Sequence, residues 1–499
     1  MTDTDRATAR VRALLQFSGR HRVLHLTWFA FFLSFVVWFN FAPFAATVAE
    51  AFDLSTEQLT VLALCNVALT VPARVLVGMA LDRWGPRRVY AAILLYAAVP
   101  CALFATATSY GMLVASRLAL SVVGAGFVVG IRMVSEWFPP KEVGTAEGVY
   151  GGWGNFGSAA AALTLPSVAA AIGGANGWRW AIGMTGVLAA CYGAYYLRAV
   201  ADSPDGHSYA RPRRQGALEV TSPAAVTGLV LLNVPLLAVL GLVAWRLHHV
   251  GFLSPTALMA TLAGLIVLLA LQTRAILSVN RPARSDSYPA HDRYPLRSVA
   301  VLCLAYFVTF GSELAVVSML PLFFASTFGL PPVVAGATAS AFAFMNLVAR
   351  PAGGLLSDLL GSRRRTLGTL LIGLSVGYGG MALIGPSWPV ALAMLVAMAC
   401  SFFVQAGEGA TYAIVPLVKK RVSGQISGLV GAYGNVGALV FLTLLLFVGP
   451  AAFFLVIGAS SIVASLACKW LVEPAGSFAE VHSDTITVES APEPAVQVA

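Results

Sequence analysis

Residues 148–158 read Gly-Val-Tyr-Gly-Gly-Trp-Gly-Asn-Phe-Gly-Ser, and residues 428–438 read Gly-Leu-Val-Gly-Ala-Tyr-Gly-Asn-Val-Gly-Ala. Gly148, Gly151, Gly154, Asn155 and Gly157 each recur 280 residues on, as Gly428, Gly431, Gly434, Asn435 and Gly437. Both copies sit inside apolar runs of helical length. On a helix, Gly148, Gly151, Gly154, Asn155 and Ser158 fall within about a third of the circumference. That face is almost free of side chains, with one amide at its centre. Glycines let another backbone or a small ligand come close, and the amide offers two N–H donors and an oxygen acceptor. One reading is a tight helix-packing face. The other is a ligand site lined by Asn155 and Asn435, with Gly151 and Gly431 one turn before them. The recurrence of the asparagine in both copies favours the ligand site.

Working outward, the 499-residue chain is 58% hydrophobic and only 11% charged, with a mean hydropathy of +0.80. Soluble domains carry about 25% charged residues. Stretches of helical length follow one another, so the composition specifies an all-α polytopic membrane protein. Alternating ten-residue strand patterns are missing, which excludes an outer-membrane barrel. The net charge of +9 sits in short loops, where it is a topology signal and not a nucleic-acid footprint. The basic N-terminus, with Arg6, Arg10, Arg12, Arg20 and Arg22, is not followed by the short apolar run and cleavage site of a signal peptide. Six cysteines are scattered singly through apolar segments and read as small buried hydrophobes, not as a metal site. No phosphate-cradling loop is present, so nothing points to ATP coupling.

Fourteen spans are expected, arranged as six, two and six. The boundaries are a cytoplasmic N-terminus (1–24), a first six-helix bundle (25–200), a linker with two inserted transmembrane helices (201–297), a second six-helix bundle (298–472) and a disordered cytoplasmic tail (473–499). Basic residues cluster on alternate connections: Arg83, Arg87 and Arg88; Lys141; Arg363, Arg364 and Arg365; Lys419, Lys420 and Arg421. This alternation puts both termini in the cytoplasm of a multi-pass protein of the cytoplasmic (inner) cell membrane. An even number of inserted spans keeps the second half in register with the first. The inserted pair, 223–279, lacks the repeat motifs and is expected to form a peripheral hairpin that lines no substrate path.

The halves repeat beyond the glycine stretch. Arg74, Gly78, Asp82, Gly85, Arg87 and Arg88 return, each 276 residues on, as Arg350, Gly354, Asp358, Gly361, Arg363 and Arg364. Parallel six-span halves of this kind resemble the major facilitator superfamily, and Gly-Met-Ala-Leu-Asp-Arg-Trp-Gly-Pro-Arg-Arg at 78–88 is similar to that superfamily's cytoplasmic loop motif. A small residue there lets two helices close, and the acid sits near a helix N-terminus or a loop arginine. Asp82 and Asp358 are therefore expected to gate, forming latches that break when the halves rock.

Arg74 and Arg350 lie eight residues inward of those aspartates, about 12 Å along a helix. A guanidinium at that depth costs at least ~2.5–3.5 kcal/mol on insertion scales and needs a partner. One solution is an ion pair with Glu147, Glu313 or Glu408. The other is a bound anion between the halves, whose planar oxygens match the arginine fork. The Gly-x-x-Gly-x-x-Gly-Asn-x-Gly runs resemble the signature of the nitrate/nitrite porter family within the superfamily, and Asn346-Leu-Val-Ala-Arg350-Pro-Ala-Gly-Gly is similar to that family's eighth core helix. The resemblance implies that Arg74 and Arg350 hold nitrate. It also implies that Asn155 and Gly151 belong to the site, that Phe127 and Phe310 sandwich the anion, and that Tyr306 contributes from the seventh core helix.

The chain departs from the family pattern in its two extra spans and in Glu313, Glu408 and Arg132, the last with Glu136 one turn away. Membrane-embedded carboxylates can carry protons. Alternatively, Glu408 or Glu313 pairs with Arg132 as a fixed bridge. The expected function is secondary transport of nitrate, and nitrite with it, either as proton/nitrate symport or as nitrate/nitrite exchange. Transport of another small anion, or anion sensing without transport, are the alternatives. No enzyme activity, cofactor, metal or nucleic-acid partner is expected. The chain is expected to work as a monomer in the lipid bilayer.

Overall fold

The computed structural model describes residues 14, 16–207, 209–284, 288–289 and 292–480. Arg6, Arg10 and Arg12 of the basic N-terminus, His291 and the tail beyond Glu480 lie outside the described residues. Among the described residues every regular element is a helix. The first half comprises α1 (Gly19–Phe39), α2 (Ala45–Phe52), α3 (Thr56–Ala68), α4 (Thr70–Trp84), α5 (Pro86–Ala105), α6 (Tyr110–Ser121), α7 (Gly126–Trp137), α8 (Val143–Ile172) and α9 (Gly177–Ala199). The inserted pair is α10 (Pro223–His249) and α11 (Pro255–Val279), followed by the short α12 (Arg281–Arg284). The second half runs through α13 (Leu296–Phe328), α14 (Pro332–Phe344), α15 (Asn346–Leu359), α16 (Arg363–Ala382), α17 (Val390–Tyr412), α18 (Ser423–Leu444) and α19 (Pro450–Ala467).

All fourteen segments expected to span are helical. Twelve of them are long and apolar enough to cross a membrane by length and composition. The other two, α9 and α16, are helices of 23 and 20 residues. Their glycines and α9's tyrosines and tryptophans score low on a hydropathy scale while packing densely, α9 against α5 and α16 against α17 and α19. The first helix starts at Gly19, earlier than the expected bundle boundary.

Several spans are broken, and two breaks fall in register between the halves. The chain kinks at Leu69 between α3 and α4, and at Met345 between α14 and α15. At the first, Pro72 lacks an N–H and its ring crowds the carbonyl four residues back. The consequence is the same in both halves: Arg74 and Arg350 are each the fifth residue of a fresh helix, near the middle of the bilayer-length segment. The fourth span breaks too, through a single 3₁₀ turn at Val122–Ala125, which leaves carbonyls at depth for other groups to use.

The glycine helices α8 and α18 hold the halves together by exchange. α8 of the first half packs on α15 of the second, and α18 of the second packs on α4 of the first. A Cβ at Gly148 would lie 2.7 Å from both the Arg350 carbonyl oxygen and the Pro351 Cα. One at Gly428 would collide with the Arg74 carbonyl oxygen. Further along, Gly157 and Gly437 face the backbone of α1 at Phe32 and of α13 at Phe307. So the glycine stretches at 148–157 and 428–437 are close-packing faces in both helices.

The inserted hairpin is more than peripheral. α10 touches α3 of the first half and α13 and α18 of the second, and the Tyr433 hydroxyl donates to the Leu232 carbonyl at 2.9 Å. α11 packs on α10 and turns most of its apolar residues outward, as a lipid-facing helix does.

Candidate functional site

The Asp latches are present on one side of the molecule. Asp358 accepts the N–H groups of Gly144 (3.1 Å) and Thr145 (2.7 Å) and the Thr145 hydroxyl (2.7 Å), and pairs with Arg363 at 2.8 Å. Asp82 accepts the N–H groups of Gly424 (3.1 Å) and Gln425 (3.0 Å). Each acid thus caps the orphan donors at the start of the other half's glycine helix. Gly78 and Gly354 make room: a Cβ at Gly78 would lie 2.5 Å from the Gly424 carbonyl oxygen.

Arg132 lies beside the Asp82 cap and is not among the residues lining the cavity on the opposite side. Its pairing with Glu313 or Glu408, one of the sequence alternatives, is not formed. It pairs with Glu136 at 2.8 Å, four residues along its own helix, and donates to the Lys420 carbonyl and the Ser423 hydroxyl beside the Asp82 latch. It also stacks over the Tyr209 ring and donates to that hydroxyl at 3.1 Å. The linker is therefore tied down by a residue about two turns past the break in the fourth span.

Two chain segments strap this side. Asp202 caps the Arg87 N–H at 2.7 Å, and at the equivalent position Glu473 caps that of Arg363. Residues 473–480, expected to be disordered, run on across the interface: Phe478 lies under Arg363, and Glu480 pairs with Lys141 at 2.9 Å. Asp292 gathers Arg213 (2.6 Å), Lys419 (2.9 Å) and Arg421 (3.7 Å). Burial alone would raise the Asp292 carboxyl, but Lys419, Arg421 and Arg213 hold it below its ordinary value.

The opposite side holds a cavity of about 330 Å³ that reaches down to Asn155, Phe310, Glu313 and Asn346. None of its lining comes from the inserted hairpin. At its floor stands an aromatic stack. The rings of Phe127 and Tyr306 are 6.1 Å apart and 2° from parallel, and those of Tyr306 and Phe310 are 5.1 Å apart and 3° from parallel. Tyr306 is the ring neighbour of both Phe127 and Phe310, the two rings expected to sandwich the anion. Its flat ring, four residues before Phe310 on α13, necessarily shares that helix face.

Both arginines converge here, fully buried. The Arg74 guanidinium lies 5.5 Å from the Phe127 centroid and 5.0 Å from that of Phe310. The Arg350 guanidinium lies 5.6 Å from the same Phe127 ring. Each also donates to the other half's glycine helix, Arg74 Nη1 to the Gly431 carbonyl at 2.6 Å and Arg350 Nη1 to the Gly151 carbonyl at 3.2 Å. Gly151 and Gly431 are glycines because these side chains lie across them: a Cβ would come within 2.9 Å of Arg350 Cδ and 3.1 Å of Arg74 Cδ.

From that point the symmetry breaks. Arg350 forms an ion pair with Glu408, with both side chains buried, and its Nη2 is 3.5 Å from the Tyr306 hydroxyl. The ion-pair alternative is therefore realised for this arginine. Arg74 has no acidic partner among the described residues. Its Nε donates to the Gly124 carbonyl at 3.4 Å, in the 3₁₀ break, and its Nη2 has no hydrogen-bond partner. The Asn435 amide oxygen, turned towards Arg74, accepts from Nη1 at 3.0 Å and Nε at 3.2 Å. Asn155 instead donates to Asn346 at 3.5 Å, and Asn346 donates to Glu313. Gln405 adds a donor to Glu313 at 3.5 Å. Glu147 pairs with neither arginine; it is buried with neither oxygen in a hydrogen bond.

Tyr412, Asn346, Gln405 and Tyr150 were not singled out from sequence. Tyr412 stands edge-on to Phe127 (4.7 Å) and Tyr306 (4.9 Å). Helical spacing was the available signal: Tyr412 is four residues after Glu408, and Asn346 four before Arg350.

The Major Facilitator Superfamily profile matches residues 27–280 and 302–486. The chain is similar to the nitrate/nitrite transporter NrtP of Picosynechococcus sp. (strain ATCC 27264 / PCC 7002 / PR-6), 49% identical over 95% of this chain and 97% of that one. It is likewise similar to NrtP of Nostoc punctiforme, 46% identical over 96% and 99%. At 28% identity it resembles high-affinity nitrate transporter 2.3 of Oryza sativa subsp. japonica, over 86% of this chain and 72% of that one. Among solved structures, the proton:xylose symporter XylE superposes with a TM-score of 0.60 at 15% identity, covering 91% of this chain and 96% of that one. The human organic anion transporter MFSD10 superposes at 0.59, also at 15% identity, over 90% and 100%.

Proposed function

The chain belongs to the nitrate/nitrite porter family of the major facilitator superfamily, and we propose that it carries nitrate, and nitrite with it, across the cytoplasmic membrane by alternating access. It is a transporter and not an enzyme. The observation that carries the substrate class is Arg74: a buried cation with no acid beside it, an open Nη2 donor, and a second arginine sharing its aromatic ring. A planar monovalent oxyanion fills the open donor and accepts from two forks. The aromatic faces suit a weakly hydrated ion. The names of the relatives at 49% and 46% identity support nitrate and nitrite over other small anions.

In this reading the halves are closed at the Asp latches and accessible from the far side through the cavity above Phe310. The basic loops assign the latched side to the cytoplasm, with both termini there and α9 and α16 completing fourteen spans. Rocking the halves breaks the two caps and the strap contacts, and opens the arginine pair to the cytoplasm. Glu313 and Glu408, buried beside Arg350, favour proton/nitrate symport over nitrate/nitrite exchange.

Proteoliposomes holding the purified chain test this directly. Nitrate uptake is expected to accelerate under an inward pH gradient without internal nitrite. Nitrate uptake that requires internal nitrite and ignores the pH gradient would contradict the symport, and no nitrate or nitrite flux under any gradient would contradict the transport reading.

A further inference from the structure

Four buried groups around the arginine stack carry complementary charge: Arg74 and Arg350 against Glu313 and Glu408. They are held unequally. Glu313 receives amide donors from Asn346 and Gln405. Glu408 has its ion pair with Arg350, and neither of its oxygens is in any further hydrogen bond. A fixed buried ion pair needs extra donors to make up for lost water. Asp358 shows such a pair, with Arg363 and three donors from Gly144 and Thr145. Glu408 shows the opposite.

We infer that Glu408 is the internal anion that the transported anion displaces from Arg350, and that each monovalent anion bound brings one proton onto Glu408. The inference rests on the arginine pair being the anion site. The guanidinium fork of Arg350 cannot serve the Glu408 carboxylate and an oxyanion at once. Once displaced, an ionised Glu408 is left with no hydrogen-bond donor and no second ion-pair partner among the described residues. The four charges balance before binding, so a monoanion entering alone leaves one buried negative charge uncompensated, at a cost of several kcal/mol. With a proton from solvent on Glu408 the balance is kept: two arginines against the bound anion and Glu313. Arg74 has no acidic partner among the described residues and keeps an open Nη2, so it has no internal competitor, and the two arginines divide the work. Arg74 stays open to the anion, and Arg350 exchanges one partner for another.

The titratable and charged groups buried on the helices packed against α17 are Arg350 and Asp358 on α15, Cys303, Tyr306 and Glu313 on α13, Glu147 and Tyr150 on α8, and Arg363 and Tyr378 on α16, with Cys400 and Tyr412 on α17 itself. Of the acids, Asp358 is engaged at the latch, Glu313 keeps its amide donors when Arg350 is taken, and Glu147 has no cation to give up.

The test uses wild-type protein first. Nitrate added to purified, lightly buffered protein with a pH-indicator dye is expected to draw up close to one proton per nitrate bound. In the alkaline range its affinity is expected to weaken about tenfold per pH unit, as one linked proton requires. Glu408→Gln is expected to bind nitrate with an affinity that no longer varies with pH, to take up no proton and to lose pH-driven accumulation. Glu313→Gln is expected to keep the proton uptake. Nitrate binding to wild-type protein without proton uptake would overturn the inference while leaving the anion site intact. So would proton uptake that persists in Glu408→Gln or vanishes only in Glu313→Gln. If wild-type protein binds no nitrate at all, the anion-site reading falls and this inference with it.

Discussion

At the scale of single residues, three buried arginines show how differently one side chain can be used. Arg117 donates through Nη1 and Nη2 to Asn40 (3.0 Å), the Trp38 carbonyl (2.7 Å) and Asn66, and braces the first bundle from inside. Arg350 is paired with an acid, and Arg74 keeps an open donor. Lysine preserves charge but not the planar fork. Arg117→Lys is therefore expected to lower thermal stability and leave nitrate affinity within about threefold, because the two amides and the carbonyl that lose geometry are not among the proposed anion-site residues. Ligand binding and melting, measured together on the purified variant, separate these effects. The arginine pair, the aromatic trio and the signature asparagines were legible in the sequence because each occupies a motif position that recurs in both halves or matches a known family. The Arg350–Glu408 pair was not. Three buried acids on three helices were chemically equivalent candidates, and only the packing of α17 against α15 selects among them.

At the scale of elements, the glycine helices and the caps on them join the two halves. Gly148→Ala and Gly428→Ala place a methyl against backbone carbonyls that cannot rotate away. Each is expected to cost roughly 1–3 kcal/mol of packing, read as a lower melting temperature, while Gly173→Ala at the far end of α8 tests only a local turn. Asp82→Ala and Asp358→Ala each remove a cap from the opposite half, typically ~1 kcal/mol per cap. Both are expected to shift the molecule towards cytoplasmic opening, measured as faster labelling of a cysteine placed at the buried Ser427. Unaltered labelling would mean the caps do not gate. The Asp292 cluster adds a pH dependence. Its folded value is depressed, so its contribution is present above the ordinary carboxylate range and is lost as pH falls through that lowered value. Asp292→Asn should lower the melting temperature at neutral pH, with the difference closing in acid. These caps were anticipated from the small-residue and acid spacing. The strap by residues 473–480 was not, since a Glu-, Pro- and Ser-rich tail carries no periodicity and its order comes from Arg363 and Lys141 on distant helices.

At the scale of the whole molecule, the two halves were readable because duplication at constant spacing survives in the motifs even where the apolar residues have drifted. The exchange between halves was beyond sequence: α8 serves Arg350 and α18 serves Arg74, so neither arginine site is complete within its own bundle. The inserted hairpin was expected to be peripheral; it lines none of the cavity that reaches Asn155 and Phe310, but its wedge against both halves depends on side-chain fit that apolar composition does not encode. Under the fourteen-span layout, a cysteine at Gly251 in the α10–α11 connection should react with an impermeant reagent from outside the cell, and reaction only from the cytoplasm would overturn that topology. The central claim is that one anion lies between the halves and is held by an arginine from each. Nitrate binding isotherms on purified wild-type, Arg74→Lys and Arg350→Lys proteins, at matched pH and with melting curves as a check on folding, test it most directly. The account expects each folded lysine variant to lose nitrate affinity by tenfold or more; wild-type affinity in either one would contradict it.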